Sequence, residues 1–378
     1  MAGVYEEKCA EFSVSPRPEI ARIFENALPT EPFAIALPGN SLELFDGRLS
    51  DVDVIAMVQT ILHGGYRNLE SLDLSFHTLT DAAATAIALL LSDAGEYSCA
   101  LRTLNLRGND IGQKGCRKLC AALKRNTTVQ FLSLNGNPVG NEGGMSVAAM
   151  LAKNTALLTL DLGNSEQGTE SIIAMAAVLK QNATLSELNL ENPRLFSLGE
   201  ESTYQLAKML QVNTTLCRLN LAKHKVRDDG ARMLAQNLSQ NSTLEELDLR
   251  CNEVGISGGE ALAALLMQPG CALRTMNLAS NRVNDDGALA LGAALRRNKA
   301  LAALDLSKNG ICDDGLVAIA TGMETNDSLV DLRLWGNDFG QPSATMFHSL
   351  ADRRFKYLDV RTDIRTNVVD GVVHVAQC

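Results

Sequence analysis

One unit of roughly 28 residues recurs along most of this chain, and residues 101–126 show it in full. Its first six residues, LRTLNL, place leucines at positions 101, 104 and 106, and the last two alternate with polar residues, as in a short strand. A turn follows at Asn109 and Ile111, after which Leu119 and Leu123 lie four residues apart, as on one face of a helix. Neither half can bury its apolar side chains alone, so the chain must stack such units around one shared core.

The strand position can be followed from unit to unit. A first strand is predicted at Ile35 and Leu37, and a degenerate last strand contains Leu358 and Val360. Between them, units begin near Leu69, Leu101, Val129, Leu157, Leu185, Leu216, Leu244, Leu273, Leu301 and Leu329. We therefore predict about twelve units in one repeat domain, residues 32–360.

The segments outside the repeats are predicted to cap the two ends of the core. In residues 1–31, Pro18 precedes apolar residues at helical spacing, which predicts one short amphipathic capping helix. Its apolar residues are Ile20, Ile23, Phe24 and Leu28. In residues 361–378, the stretch NVVDGVVHV holds Asp370 and Gly371 between two β-branched arms. It predicts a β-hairpin cap that continues the sheet.

An asparagine recurs where the chain leaves each strand. Its side-chain amide and carbonyl can pair with main-chain groups of the turn, which predicts a ladder of asparagines. The predicted members are Asn40, Asn109, Asn137, Asn252, Asn281, Asn309 and Asn337. Histidine replaces it at His77, and Ser165, Pro193 and His224 replace it in three consecutive units. We expect the curvature or twist to change at these three units, and the longer loop at residues 192–202 to be a contact surface.

Signals for the helix ends accompany the ladder. Acidic pairs such as Asp228 and Asp229 stand at the predicted helix starts, where the helix dipole favours negative charge. A further asparagine is predicted to end each helix by adopting the left-handed conformation. These residues are Asn126, Asn154, Asn182, Asn213, Asn241, Asn298 and Asn326.

Composition and motifs argue against several classes of function. The net charge is −10 and no block of Lys or Arg appears, so we do not expect nucleic acid as a partner. No apolar run reaches the ~20 residues of a membrane span, and the first residues do not resemble a signal peptide. The 9 cysteines stand at irregular spacing, as expected for reduced thiols in the cytoplasm.

No chemistry-bearing motif stands out from the repeat pattern. Cys116 and Cys120 have a spacing that could hold a metal, but they align with Ala231 and Ala235 of a later unit. We interpret them as small buried residues, because no histidine or second cysteine pair completes a metal site. No phosphate-binding loop is present. We therefore predict no catalytic residue, cofactor, metal or small-molecule substrate.

The stretches NSTLEELDLRCNEVGISGG, from Asn241, and NKALAALDLSKNGICDDG, from Asn298, resemble the ribonuclease-inhibitor subfamily of leucine-rich repeats. The resemblance covers about residues 32–360 and implies an α/β leucine-rich-repeat solenoid. Strands stack ~4.8 Å apart and helices ~10 Å apart. The expected shape is therefore a horseshoe, with a concave parallel β-sheet and helices on the convex side.

The near-constant period and the ending VDGVV look like the intracellular family typified by leucine-rich repeat-containing protein 34, several members of which are associated with cilia and flagella. That resemblance implies a non-enzymatic scaffold in a large cytoskeletal or axonemal assembly, in the cytoplasm, a cilium or a flagellum. The alternative is a Ran-type GTPase-activating protein, which shares this repeat class, or another regulator of a small GTPase. Against it, the long acidic tail typical of that family is not seen in this sequence, and no arginine or asparagine can be matched to its catalytic segment. Nuclease inhibitors of the subfamily are cysteine-rich, unlike this chain.

The concave face is the expected binding surface for a protein partner. A polar side chain follows the second leucine of each strand, giving a mildly acidic stripe. Trp335 is the only tryptophan, and we expect it to face the partner beside Arg333 and Arg361. The alternative is that the carboxyl-terminal hairpin folds back and covers the ring, which would make Trp335 part of the cap. Large aromatic and Arg side chains are usual interface anchors. The predicted contact residues are Trp335, Arg333, Arg361, Phe131, Arg107, Arg250, Asp161, Asp248 and Asp305.

Overall fold

The protein is seen here as a computed structural model that describes residues 2–28, 31–41, 47–92, 99–195 and 200–378. The chain divides into two compact units, Met1–Phe196 and Ser197–Cys378. Part of the predicted contact loop at residues 192–202 lies outside the described residues.

The first unit opens with two helices and then alternates strands with helices. Its helices are α1 (Ala2–Glu11), α2 (Pro18–Asn26), α3 (Asp51–His63), α4 (Asp81–Leu90), α5 (Gln113–Leu123), α6 (Gly140–Leu151) and α7 (Thr169–Leu179). Its strands are β1 (Phe33–Ala36), β2 (Leu69–Asp73), β3 (Thr103–Asn105), β4 (Phe131–Ser133), β5 (Thr159–Asp161) and β6 (Glu187–Asn189). Consecutive strands pair in parallel, so Leu104 lies beside Leu72 on one side and Leu132 on the other.

The second unit continues the same alternation and ends in a hairpin. Its helices are α8 (Glu201–Leu210), α9 (Asp228–Leu238), α10 (Ile256–Leu266), α11 (Asn284–Leu295), α12 (Asp313–Met323), α13 (Gln341–Leu350) and α14 (Lys356–Leu358). Its strands are β7 (Arg218–Asn220), β8 (Glu246–Asp248), β9 (Thr275–Asn277), β10 (Ala303–Asp305), β11 (Asp331–Arg333), β12 (Arg361–Thr362), β13 (Ile364–Val369) and β14 (Val372–Gln377). Strands β7 to β12 pair in parallel and in chain order.

The core lies between the sheet and the helices of each unit. In a typical strand the central leucine, Leu104, is fully buried, while Thr103 and Asn105 on either side are half-buried on the opposite face. The helix that follows buries Leu119 and Leu123 on the face towards the strands. The predicted solenoid class, a parallel sheet with helices on one side, is therefore confirmed.

The amino-terminal cap contains one helix more than the sequence predicts. Helix α2 buries Ile20 and Phe24 as expected, whereas Leu28 is exposed. Helix α1, which has no clear apolar periodicity, buries Tyr5 with its ring centroid 5.7 Å from that of Phe24. The centroid of Phe24 lies in turn 5.1 Å from that of Tyr66 in the first repeat, so aromatic packing joins the cap to the repeats.

An ion pair adds to this cap. The guanidinium of Arg17 lies 3.2 Å from the buried carboxylate of Asp53 at the start of α3. Burial opposes ionisation of Asp53, but hydrogen bonds from Ser50 and Arg17 outweigh it and hold the pKa of the carboxyl below its ordinary value. Asp53 and Ser50 also form a capping box at the start of α3.

The carboxyl-terminal hairpin forms at the predicted residues but not in the predicted place. Strands β13 and β14 pair with each other across Asp370 and Gly371, which both have positive φ, as this turn requires. Among the described residues, the last strand of the parallel sheet is β12, not the hairpin. The predicted last strand at Leu358 and Val360 is also wrong, because Leu358 ends α14. The hairpin instead packs on α13, where Gln341 Nε2 donates to the Val373 carbonyl at 2.8 Å.

The asparagine ladder is confirmed and joins neighbouring repeats. Asn137 Nδ2 donates to the Leu134 carbonyl of its own repeat at 3.1 Å and to the Leu106 carbonyl of the preceding repeat at 2.8 Å. Its Oδ1 accepts from the Ile111 N–H at 3.0 Å. Asn109, Asn252, Asn281, Asn309 and Asn337 make the same two carbonyl contacts.

The prediction is wrong for the first member of the ladder, Asn40. Asn40 is exposed, and the Leu37 carbonyl is bound by His77 from the next repeat. His77 Nε2 donates to that carbonyl at 2.7 Å, while Nδ1 accepts from the Leu49 N–H at 3.1 Å. This arrangement needs a neutral ring, because a second ring proton would point at the Leu49 N–H. Burial, with a smaller contribution from Arg48, lowers the pKa of His77 below its ordinary value of 6.5.

The neutral state of His77 predicts a pH dependence of stability. Its pKa is lower in the folded state than in the unfolded state, so the unfolded chain binds more protons as the pH falls below about 6.5. The contribution of the neutral His77 ring to the free energy of unfolding is therefore present above about pH 6.5 and is lost as the pH falls below that value. We expect the free energy of unfolding, from urea titrations at pH 7.5 and 5.5, to fall more for the wild type than for His77→Asn. Equal losses in the two proteins would contradict this assignment.

The asparagines at the helix ends act differently from the prediction. Among the described residues with positive φ none is one of these asparagines, so they do not end helices by a left-handed turn. They form a second ladder instead. Asn126 Oδ1 accepts from the N–H groups of Thr128 and Val129 at 3.1 and 2.8 Å, and its Nδ2 donates to the Leu91 carbonyl at 3.2 Å.

The acidic residues at the helix starts stabilise the next helix and not only their own. Asp228, the first residue of α9, accepts from the N–H groups of Gly255 and Gly258 at the start of α10, at 2.7 and 2.9 Å. A Cβ on Gly258 would lie 2.8 Å from Oδ1 of that carboxylate and 2.7 Å from Cγ1 of Val254, so a side chain there would require a local shift. Asp285 in α11 and Asp313 in α12 repeat the arrangement with the helix that follows each of them.

Candidate protein-binding surfaces

The open face of the sheet is defined here as the strand residues that flank the buried leucines. In the first unit it carries a stripe formed by Asp73, Asn105, Ser133, Asp161 and Asn189. In the second unit the corresponding residues are Asn220, Asp248, Asn277, Asp305 and Arg333. Paired strands place these residues side by side, in the register that the sequence predicts.

The acidic residues of this stripe have a structural role that the sequence reading missed. Asp161 accepts from the Gly163 N–H at 3.1 Å and from the side-chain amides of Asn189 and Asn135 at 2.8 and 3.1 Å. Asp248 accepts from the Arg250 N–H, and Asp305 from the Ser307 N–H, each at 2.9 Å. An Asp or Asn two residues before a turn N–H is the usual signature of such a bond.

The predicted arginines lie against carboxylates or an aromatic ring. The guanidinium carbon of Arg107 lies 5.6 Å from the centre of the Phe76 ring, a cation–π contact. Arg250 lies 3.6 Å from the Asp248 carboxylate. Because these contacts leave the arginines partly or fully exposed, the guanidinium groups remain accessible to a partner.

A compact group of charges marks the carboxyl-terminal end of the open face. The carboxylate of Asp331 lies 3.3 Å from Arg333 and 3.5 Å from Arg361, on the paired strands β11 and β12. The side chains of Arg333 and Arg361 are 55% and 75% exposed. The structure thus brings these two predicted residues together around one acid.

The two predicted aromatic residues differ in their surroundings. Phe131 is half-buried in β4, in register with Thr103 and Thr159 of the flanking strands. Trp335 is also half-buried, but it lines a cleft of about 800 Å³ with Phe339 and the hairpin strand β14. The cleft lining, as described, includes neither Arg333 nor Arg361. The hairpin therefore shares this cleft with the ring, and that Trp335 faces a partner beside Arg333 and Arg361 stays a prediction.

The cysteine pair in α5 is the candidate metal site that the sequence offers. Cys116 and Cys120 are buried in α5 with their sulfur atoms 3.8 Å apart. No cluster of three or more His, Cys, Asp or Glu side chains that could hold a metal ion occurs in the described part of the chain. None of the described helices has the length and apolar character needed to cross a bilayer.

Comparison with known proteins identifies the repeat type. The family described as "Leucine Rich repeat" matches seven segments of the chain. They are residues 67–88, 97–120, 125–148, 212–235, 240–263, 271–292 and 297–320. No curated protein gives a significant match to the chain.

Among solved structures, similarity is found to an internalin (inlF) from Listeria monocytogenes, at 15% identity over 95% of this chain and 93% of that one, with a TM-score of 0.45. The structure titled "Leiomodin-1 Actin-Binding Site 2" is 28% identical over 33% of this chain and 71% of its own, with a TM-score of 0.28. The tropomodulin C-terminal domain from Caenorhabditis elegans is 18% identical over 42% of this chain and 92% of its own, with a TM-score of 0.34. The low scores mean that none of the three superposes closely on this chain.

Proposed function

Since the chain is a leucine-rich-repeat protein, we propose that it is a non-enzymatic scaffold that binds another protein on the open face of its sheet. Leucine-rich repeats generally act as protein-interaction scaffolds. The observation that carries the proposal is the pair of exposed arginines, Arg333 and Arg361, that lie on either side of the half-buried Asp331. Arginine is enriched among the residues that dominate binding energy at protein interfaces.

The low structural value of these ion pairs supports a binding role. Pairs between exposed side chains contribute about 0–1 kcal/mol to stability, because water and salt screen them. Arg333 and Arg361 therefore have little reason to be there for the fold alone. In the first unit, Phe131 and Arg107 offer an aromatic and a cationic anchor on the same face, which we include in the proposed surface.

The test is a pull-down with the full chain, followed by mass spectrometry. Arg333→Glu/Arg361→Glu is expected to lose the co-purifying partner, at least about tenfold in recovered amount, with little change in melting temperature. The matched control, Arg296→Glu/Arg297→Glu, makes the same charge change at the exposed end of α11, away from the open face. If both variants lost the partner to the same extent, or if neither lost it, the result would argue against this surface.

We also propose that the partner belongs to a cytoskeletal or ciliary assembly and that the protein resides in the cytoplasm or a cilium. The support is the resemblance of the repeat period and of the VDGVV ending to the cilium-associated family. Imaging of the fluorescently tagged full chain beside an axonemal tubulin marker tests this. A diffuse signal with no enrichment at the axoneme would contradict it.

A further inference from the structure

The cleft around Trp335 has a mixed apolar and acidic lining. The turn after β11 supplies Trp335 and Phe339, and β14 supplies Val373 and Val375. The cleft volume, about 800 Å³, lies within the usual range of ligand pockets in proteins. Two aromatic rings and two valines can hold an apolar side chain or the stem of a long one.

One edge of the hairpin faces this cleft. Val369 and Val372 pair across the two-residue turn, and backbone groups along β14 then point alternately towards β13 and away from it. The Val373 carbonyl points away, since it accepts from Gln341 Nε2 at 2.8 Å. Val375, two residues further along the same strand, presents its N–H and C=O in the same direction. A strand edge of this kind is a template for an added extended chain.

The charge of the cleft is negative. Asp285 and Asp313 line it while accepting N–H groups at the starts of the neighbouring helices. Asp314 and Asp338, both exposed, complete the acidic rim. The described lining includes no Lys or Arg. An extended peptide that enters the cleft would therefore be favoured if it carries a positive charge.

We propose that this cleft binds an extended peptide segment of another protein that carries a lysine or arginine. The segment lies against the edge of β14, as in strand addition, and its cationic side chain lies between Asp314 and Asp338 beside the ring of Trp335. The inference rests on the proposed function in that the chain binds other proteins, but it places a second site away from the Arg333 and Arg361 group.

The single tryptophan provides a direct measurement. Trp335 is the only one in the chain, so its fluorescence reports on this cleft alone. The probes are blocked pentapeptides, Thr-Val-X-Val-Thr, with Lys, Arg, Ala or Glu at X. We expect saturable changes in emission with the Lys and Arg peptides, which bind at least about tenfold tighter than the Glu peptide and weaken with added salt. No saturable change up to about 10 mM, or equal binding of the Lys and Glu peptides, would overturn the proposal.

Substitutions then assign the binding to the acidic rim. Asp314→Asn/Asp338→Asn is expected to lower the affinity for the Lys peptide about fivefold or more. The control, Asp229→Asn/Asp286→Asn, removes the same charge from exposed acids at the position in earlier repeats that corresponds to Asp314. Equal weakening by both double variants would show a general charge effect and overturn the site.

Two further variants separate this site from the others. Trp335→Leu, followed by the anisotropy of a fluorescein-labelled Lys peptide, should weaken binding about fivefold or more, and unchanged binding would overturn the role of the ring. Arg333→Glu/Arg361→Glu should bind the peptide at least as well as the wild type. The two proposals can fail separately. A negative result for the open face leaves the expected peptide binding in the cleft unchanged, and a negative result for the cleft leaves the open-face proposal unchanged. Weakened peptide binding by the Arg333→Glu/Arg361→Glu variant would place the peptide on the open face and overturn the cleft.

Discussion

Asn137→Ala is expected to lower the free energy of unfolding by about 3 kcal/mol. The side chain is fully buried and satisfies two carbonyl groups, of Leu106 and Leu134, and one N–H, of Ile111. Alanine would leave the buried Ile111 N–H without this partner, which costs about 1–3 kcal/mol. Each carbonyl would lose one of two donors, since Leu106 is also bound by Asn109 and Leu134 by the N–H of residue 137, and each lost hydrogen bond adds about 0.5–1.5 kcal/mol. The expected loss of stability is larger than the loss of the side chain's packing alone, because the asparagine forms hydrogen bonds with two neighbouring repeats.

The chain contains its own controls for this experiment. Asn40→Ala changes the residue that the sequence pattern assigns to the same ladder but that is exposed, so we expect a change within about 0.5 kcal/mol. Asn137→His should lower the free energy of unfolding less than Asn137→Ala does, since His77 shows that an imidazole can bind the ladder carbonyl. Urea titrations followed by circular dichroism measure all three. Similar losses for Asn40→Ala and Asn137→Ala would contradict the bridging role.

The contrast between these asparagines shows what sequence can and cannot predict here. The repeat period predicts the strands, the buried leucines and the ladder position, because each depends on local spacing. Whether Asn40 is buried depends on a neighbour. A ladder asparagine binds a carbonyl of the preceding repeat, and β1, which precedes Asn40, has no earlier strand in the described chain to supply one.

The surroundings of Trp335 are left open by the sequence for a similar reason. Alternation along β11 suggests that Trp335 shares a face with Arg333, but it does not reveal the cleft that the ring lines together with the hairpin. The hairpin that forms the other wall is not a repeat, so no internal alignment gives its position. The roles of Asp161 and Asp248 could have been predicted, because each stands two residues before a turn N–H.

Close contact between helix backbones is a further feature that the repeat pattern conceals. Gly292 in α11 occupies the same repeat position as Ala320 in α12, so alignment within the chain makes alanine look acceptable there. A Cβ on Gly292 would lie 2.4 Å from the Ala318 carbonyl oxygen of α12. A Cβ on Gly322 would likewise lie 2.5 Å from the Gly292 carbonyl oxygen. The two helices approach so closely here that neither position has room for a methyl group.

Gly292→Ala is therefore expected to lower the free energy of unfolding by about 2 kcal/mol. The obstacle is main chain, which cannot move aside as a flexible side chain can, and overpacking usually costs about 1–3 kcal/mol. The gain in helix propensity, up to about 1 kcal/mol, is too small to reverse the sign. Gly3→Ala in α1 is the matched control, because nothing lies within 4 Å of its Cβ position. It should leave stability unchanged or raise it slightly. Urea titrations measure the change in the free energy of unfolding for both substitutions. If the two changes had the same sign and size, α11 and α12 would be able to move apart at little energetic cost.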